Sequence, residues 1–127
     1  MLFASRSTSI QNAGLSTHVL DISLGKPGQD IEVKTYHLEN ETWDLIGKNK
    51  TDSNGRISSA LFLEGKESKF SNGLYKLRFE IGKYYEEKGI LTFYPYVEIF
   101  FKIDDSSQHF HVPLTLSPFG YSTYKGQ

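Results

Sequence analysis

The chain has 127 residues, a formal net charge of −1 at pH 7 and no cysteine. Its length suits one domain that buries roughly two thirds of its unfolded surface, and its eight tyrosines and nine phenylalanines supply bulky core side chains. The small net charge and the scattered charged residues argue against a nucleic-acid or membrane-surface partner. The lack of cysteine excludes thiolate catalysis and cysteine-ligated zinc, and no apolar run approaches the roughly 18 residues of a membrane span.

The first 13 residues are predicted to be a flexible extension that precedes the domain. The opening stretch, MLFASRSTSIQNAG, contains no acidic residue, one arginine and several serines. Such a composition is compatible with a fragment of an organelle-targeting sequence, but a loose tail is the more common interpretation of so short a segment. We therefore assign residues 14–127 to a single domain.

Most of this domain alternates between apolar and polar residues with a period of two, which is typical of strands with one buried face. Strands are predicted, in chain order, at 15–22, 30–37, 42–48, 56–63, 73–81, 96–103, 109–117 and 120–125. Turn signals separate them: GKPGQ at 25–29, SNGR at 53–56, SNG at 71–73 and DDSS at 104–107. The segment IGKYYEEKG at 81–89 contains good helix formers and ends in glycine, which predicts one short helix. About eight short strands with one helix predict an all-β, antiparallel β-sandwich.

The segment HFH places two histidines on one predicted strand. A rise of about 3.3 Å per residue puts His109 and His111 on the same face, about 7 Å apart. Two imidazoles that point the same way suit zinc, with His18 as a third ligand. However, a strand histidine is more often a hydrogen-bonded structural residue than a catalyst. The residues alone therefore leave a zinc site, a metal-free histidine-lined site and a structural role open.

Two further polar residues stand where a functional site could lie. His18 follows a small polar pair on an otherwise apolar strand, and Arg56 follows the Asn54-Gly55 turn, where a loop meets a strand. An arginine after a turn is most often a solvated charge. Residue chemistry alone thus predicts a β-sandwich with a histidine-lined site and nothing more specific.

Two long motifs near the ends of the domain resemble the signatures of a known family. THVLDISLGKPGQDIEV at 17–33 resembles the N-terminal signature of the transthyretin-like family, and FHVPLTLSPFGYS at 110–122 resembles its C-terminal signature. The motifs stand in the family's order, and the predicted strands between them agree with it. The resemblance covers roughly residues 14–127 and implies a transthyretin-like β-sandwich.

The resemblance implies one of two functions. The family contains hormone-carrying transthyretins and hydrolases of urate breakdown, which convert 5-hydroxyisourate to 2-oxo-4-hydroxy-4-carboxy-5-ureidoimidazoline. The catalytic positions of the hydrolases, which the carriers lack, map onto His18, Arg56 and His111. The resemblance therefore implies a metal-independent hydrolase without a cofactor, and the alternative is a small-molecule carrier that has lost catalysis.

The last four residues map onto the Tyr-Arg-Gly-Ser tail of the hydrolases, with two departures. Six substrate-binding residues are implied: His18, Arg56, Tyr124, Lys125, Gly126 and Gln127. Lys125 keeps the positive charge of the family's arginine but lacks its planar fork of donors, and Gln127 replaces a small hydroxyl with a longer amide. His109 is predicted to orient a neighbouring catalytic group, with a structural role equally open.

The resemblance also implies an assembly and a location. In the family, the chain forms a homotetramer whose last strand lines a channel between dimers, so that the tail becomes a wall of the active site. The family occurs in the cytosol and in peroxisomes, which predicts a cytoplasmic or peroxisomal location. The final KGQ is not a peroxisomal address of the SKL type.

Overall fold

The computed structural model describes residues 14–58 and 70–127, which contain nine strands and one helix. The strands are β1 (Gly14–Asp21), β2 (Lys26–Pro27), β3 (Glu32–Glu39), β4 (Thr42–Lys50), β5 (Arg56–Ile57), β6 (Gly73–Phe79), β7 (Val97–Ile103), β8 (His109–Ser117) and β9 (Gly120–Thr123). The helix α1 (Ile81–Glu87) connects β6 to β7. The predicted extension at 1–13 and the end of the predicted strand 56–63 lie outside the described residues.

The strands form two sheets. One contains β2, β1, β8 and β9 in that order, with β5 also paired to β1, and the other contains β4, β3, β6 and β7. Every strand pair is antiparallel except β1 and β8, which run parallel from Gly14 beside His109 to Asp21 beside Leu116. The predicted two-sheet, all-β fold is confirmed, and this central parallel pair is a feature that the sequence pattern did not predict.

The core is built mainly from one face of the longer strands, as the alternation predicted, while β2 and β9 contribute no buried residue. Its fully buried members come from both sheets and from α1, and the largest are Tyr75, Tyr85, Phe79, Leu15, Ile31, Leu77, Ile81, Ile103, Leu114 and Leu116. Burial of a large apolar side chain contributes about 1.5–3 kcal/mol, so these residues dominate the stability of the sandwich. The opposite, outer face of β1 and β8 carries most of their polar residues, including Ser16, His18, His109 and His111.

Several predictions differ from the structure in their bounds by one or two residues, including those of β3, β6 and β9. The helix was predicted at 81–89 and ends at Glu87, two residues before Gly89, which has a φ of 69°. The GKPGQ turn at 25–29 was predicted too broadly, because Lys26–Pro27 forms β2 and pairs with Leu20–Asp21. Proline fits there because β2 is the edge strand of its sheet, where a missing N–H costs no ladder hydrogen bond.

Candidate active site

The parallel pairing of β1 with β8 places a serine between two histidines. Ser16 lies opposite His111 in the register, and its Oγ lies 2.7 Å from Nδ1 of His111 and 2.7 Å from Nε2 of His109. Ser16 is buried, His111 is half-buried and His109 is exposed. A hydroxyl has one proton, so Ser16 donates to one ring and accepts from the other. Sequence analysis gave Ser16 no role, because no pattern reveals which residue of β1 faces β8.

The pairing of β1 with β5 places Arg56 beside His18. The two residues are directly opposite in antiparallel register, so their side chains share a face with Cβ atoms about 4.5–5.5 Å apart. The same face of β1 carries Ser16, two residues earlier. Both predicted catalytic residues therefore lie on the outer face that also holds His111.

A tight turn before β5 fixes the position of Arg56. A carboxylate oxygen of Asp52 accepts the backbone N–H groups of Asn54 at 2.8 Å and of Arg56 at 3.0 Å. Gly55 has a φ of 75°, and a Cβ there would collide with the carbonyl oxygen of Val19. The Asn54-Gly55 signal in the sequence thus marks a turn that holds Arg56 in one place.

The C-terminal tail lies directly against His111. The backbone N–H of Gly126 donates to the carbonyl oxygen of His111 at 2.8 Å, and a Cβ on Gly126 would lie only 2.5 Å from Cδ2 of the imidazole. Glycine is therefore required here for close approach to the ring. Tyr124 is 63% exposed, and the ammonium of Lys125 lies 5.4 Å from the centre of the Phe110 ring.

Two adjacent clefts are lined by most of the predicted site residues, whereas His18 and Gly126 line neither. The first, with a volume of about 350 Å³, is lined by Ser16, Thr17, Arg56, Ile57, Ser58, His109, His111 and Gln127. The second, of about 400 Å³, is lined mainly by apolar residues of β7 and β8. Three of the predicted site residues also line it: His111, Tyr124 and Lys125. His111 is the residue that both clefts share.

Both predicted catalytic histidines favour the neutral form. Burial, followed by the positive charge of Arg56, lowers the pKa of His18, although a hydrogen bond from its ring to the backbone carbonyl of Asn54 opposes this shift. Burial is also the largest cause that lowers the pKa of His111, and the charges of its neighbours His109, His18 and Arg56 add to it. Neutral imidazoles can accept a proton near neutral pH.

Other candidate sites in the described residues offer less chemistry. A larger cleft of about 770 Å³ beside α1 is lined by residues between Gly82 and Pro95, none of which is a histidine or an arginine. His37 is buried and stacks on Tyr75 with ring centres 4.4 Å apart, which is a structural role. Within 14–58 and 70–127, no group of three or more His, Cys, Asp or Glu side chains is arranged to hold a metal ion.

Comparison with known proteins shows the family to which the chain belongs. A protein-family model described as the HIUase/Transthyretin family matches residues 15–126. The chain belongs to this family. A Caenorhabditis elegans member named "Probable 5-hydroxyisourate hydrolase" is 42% identical over 119 residues, which cover 94% of this chain and 85% of the relative.

Solved structures of the family show the same fold in both functional branches. Klebsiella pneumoniae 5-hydroxyisourate hydrolase superposes with a TM-score of 0.74 at 34% identity, covering 89% of this chain and 98% of that one. Sea bream transthyretin in complex with thyroxine superposes with a TM-score of 0.80 at 27% identity, covering 88% and 93%. Since the backbone fits both, the side chains of the site must distinguish hydrolase from carrier. No helix in the described part of this family member is long and apolar enough to cross a membrane.

Proposed function

We propose that this chain is a 5-hydroxyisourate hydrolase of urate degradation, which opens the ring of its substrate with water to give 2-oxo-4-hydroxy-4-carboxy-5-ureidoimidazoline. Relatives named as 5-hydroxyisourate hydrolases, from nematode, bacteria and mouse, are 39–42% identical to it over at least 88% of its length. The observation that carries the proposal is the meeting of Arg56, His111 and the C-terminal tail at one polar cleft, with His18 beside Arg56.

Arg56 is proposed to orient the substrate. 5-Hydroxyisourate is a flat heterocycle rich in oxygen and nitrogen acceptors, and a guanidinium presents a planar fork of donors that matches adjacent acceptors. The Asp52-anchored turn holds the backbone of Arg56 before any substrate arrives. Little conformational freedom of this backbone is then lost on binding, which favours a defined pose.

His18 and His111 are proposed to move the protons. One neutral imidazole takes a proton from the attacking water, and the other donates a hydrogen bond or proton to the developing oxyanion or to the leaving ring nitrogen. Each ring has one nitrogen already engaged, by the Asn54 carbonyl for His18 and by Ser16 for His111. The second nitrogen of each ring is therefore the one available to the reaction.

The tail is proposed to close the site on the side of β8. Gly126 lets the chain lie against the His111 ring, and Gln127 then reaches the polar cleft. Tyr124 and Lys125 line the neighbouring cleft, where Lys125 contributes a positive charge without a bidentate fork. We propose that these two side chains reach substrate at the shared edge formed by His111.

We further propose a homotetramer whose subunits meet on the outer face of the β1–β8 sheet. Large apolar side chains are exposed on this face and on the turns at its end: Leu20, Ile22, Leu24, Phe119 and Tyr121. The N–H of Ile22 donates to the carbonyl of Leu116 at 2.8 Å, so the turn after β1 lies beside the turn after β8. A contiguous apolar surface of this kind favours association. The cytoplasmic or peroxisomal location stays a prediction.

Two other functions are alternatives to hydrolysis without metal. A carrier would bind small molecules without turnover, and a zinc hydrolase would need metal at His18, His109 and His111. The polar, charged cleft favours hydrolysis over the carriage of an apolar hormone. Its lining includes His109, His111 and Arg56, with His18 directly opposite Arg56, whereas a hormone site is expected to be mostly apolar.

The deciding experiment is a spectrophotometric assay with 5-hydroxyisourate generated freshly from urate. Purified chain should accelerate the decay of the substrate absorbance far above the spontaneous rate, in proportion to protein concentration. A double variant, His18→Gln with His111→Gln, is the matched control for contaminating hydrolase. Tight binding of substrate without faster decay would instead support the carrier function.

A further inference from the structure

The hydroxyl of Ser16 bridges two imidazoles that differ in exposure. It lies 2.7 Å from Nδ1 of the half-buried His111 and 2.7 Å from Nε2 of the exposed His109. Ser16 is itself only 7% exposed, so its hydroxyl depends on these protein partners rather than on water. A buried hydroxyl between two rings is a continuous path for protons between the half-buried and the exposed imidazole.

We propose that Ser16 is a positioning residue that couples the proton on His111 to the proton on His109. This inference rests on the proposed hydrolase function for its kinetic consequence, but the coupling itself is a property of the free protein. No role for Ser16 follows from the family signatures or from composition. It follows from the register, which places Ser16 beside His111 in β8.

The coupling has two states, because Ser16 has a single hydroxyl proton. In one state, Nδ1–H of His111 donates to Ser16, which donates to Nε2 of His109. Nε2 of His111 is then unprotonated and can act as a base. In the other state, Nε2–H of His109 donates to Ser16, which donates to Nδ1 of His111. Nε2 of His111 then carries a proton and can act as an acid or hydrogen-bond donor.

Over one complete turnover, the path formed by His111, Ser16 and His109 neither loses nor gains a proton. When Nε2 of His111 takes a proton from water, its Nδ1 proton passes to Ser16 Oγ, and the former hydroxyl proton of Ser16 passes to Nε2 of His109. His109 then carries the positive charge at the exposed end of the path and releases a proton to solvent. The reverse sequence supplies a proton to His111 when the leaving nitrogen needs one. His109 thereby acts on His111 through Ser16.

Three variants separate this coupling from simple packing. Ser16→Ala breaks the path and should lower kcat about 10- to 100-fold with little change in KM, since the hydroxyl acts on proton transfer. Ser16→Thr keeps a hydroxyl, suits a strand, and should restore kcat to within about threefold of the parent chain. Ser117→Ala is the matched control. Ser117 is the last residue of β8, but its hydroxyl donates to the carbonyl of Gly120 at 2.9 Å and contacts neither histidine.

Coupling to His109 is tested with a double variant. His109→Gln alone should lower kcat, and the combination with Ser16→Ala should be no slower than the slower single variant, because both changes interrupt one path. Multiplicative losses would overturn the proposal. So would a parent-like kcat in Ser16→Ala, or a Ser16→Thr variant as slow as Ser16→Ala. If Ser16→Ala fails to fold by circular dichroism, a parent-like kcat in His109→Gln still overturns it.

A spectroscopic measurement tests the coupling independently of hydrolysis. Long-range ¹H–¹⁵N correlation spectra of the substrate-free, full-length chain report the tautomer of each imidazole. Ser16→Ala should change the tautomer populations of both His109 and His111, and Ser117→Ala should change neither. Unchanged populations would overturn the coupling even in an active enzyme. An inactive parent chain would overturn the proposed function alone, because the tautomer measurement would still stand.

Discussion

The backbone N–H of Gly126 donates to the carbonyl oxygen of His111 at 2.8 Å, which lays the last residues of the chain across a predicted catalytic histidine. A chain terminus is usually frayed unless something holds it. Here the hydrogen bond and the contact with the imidazole hold it. The terminus is therefore held against His111, and we expect it to form part of the site.

Gly126→Ala should reduce activity without unfolding the protein. Its new Cβ would lie 2.5 Å from Cδ2 of His111, so either the tail or the imidazole must move. We expect kcat/KM to fall at least about 10-fold, since small displacements of a catalytic group are costly. Gly120→Ala is the matched control, because its Cβ would meet only Ser117 Oγ at 3.8 Å. Equal activity of both variants in the 5-hydroxyisourate assay would contradict this placement of the tail.

Arg56 is expected to act in two separable ways: its positive charge lowers the pKa of His18, and its planar fork of donors orients the substrate. Arg56→Ala should lower turnover at least about 10²-fold and raise the pKa of His18, because a positive charge that lowers this pKa is removed. Arg56→Lys should keep the pKa of His18 low but still lose activity, because lysine lacks the planar fork. The kinetics of both variants and an NMR titration of His18 distinguish the two contributions. A parent-like Arg56→Ala variant would remove Arg56 from the mechanism.

The pH dependence of the enzyme should extend into mildly acidic conditions. A histidine base works when neutral, so its activity is lost as the pH falls through its folded-state pKa. For both His18 and His111 this pKa lies below the ordinary value near 6.5. We therefore expect kcat/KM at pH 6.5 to remain well above half of its value at pH 7.5. A profile whose acid midpoint lies at or above 6.5 would show that neither lowered pKa governs the reaction.

Hydrolysis is expected to be independent of bound metal. His109 and His111 each direct one ring nitrogen to Ser16, which orients the rings for hydrogen bonding. Exhaustive chelation should therefore leave kcat unchanged, and elemental analysis should find no stoichiometric zinc in active protein. Activity that disappears with zinc and returns with it would establish the zinc hydrolase instead.

The assembly is expected to be a tetramer of about 58 kDa, four times the 14.5 kDa of one chain. The exposed apolar surface around Ile22 and Phe119 should drive this association. Light scattering at micromolar concentration measures the mass. Ile22→Asp with Phe119→Asp should yield smaller species of unchanged secondary structure, whereas Leu74→Asp, at an exposed leucine of β6 in the other sheet, should not. A stable, fully active monomer would contradict the proposed channel.

The sequence by itself determined the fold class, the family and most element positions. Alternation over 73–81 and 109–117 reports directly which side chains are buried, and the structure confirms Tyr75, Leu77 and Leu114 in the core. The helix at 81–89 was predicted because its composition changes locally. Local patterns suffice for such features, since each depends on neighbours within a few residues.

Only the tertiary structure decided how the candidate site is assembled. Alternation placed His109 and His111 on one face, but no local pattern states that β1 runs parallel beside β8. Ser16 therefore remained without a role until the register brought it to both imidazoles across more than 90 residues of chain. The same holds for Gly126, whose need for glycine comes from a contact with His111. Pairing between distant strands depends on the packing of the whole sandwich, and a sequence motif does not encode it locally.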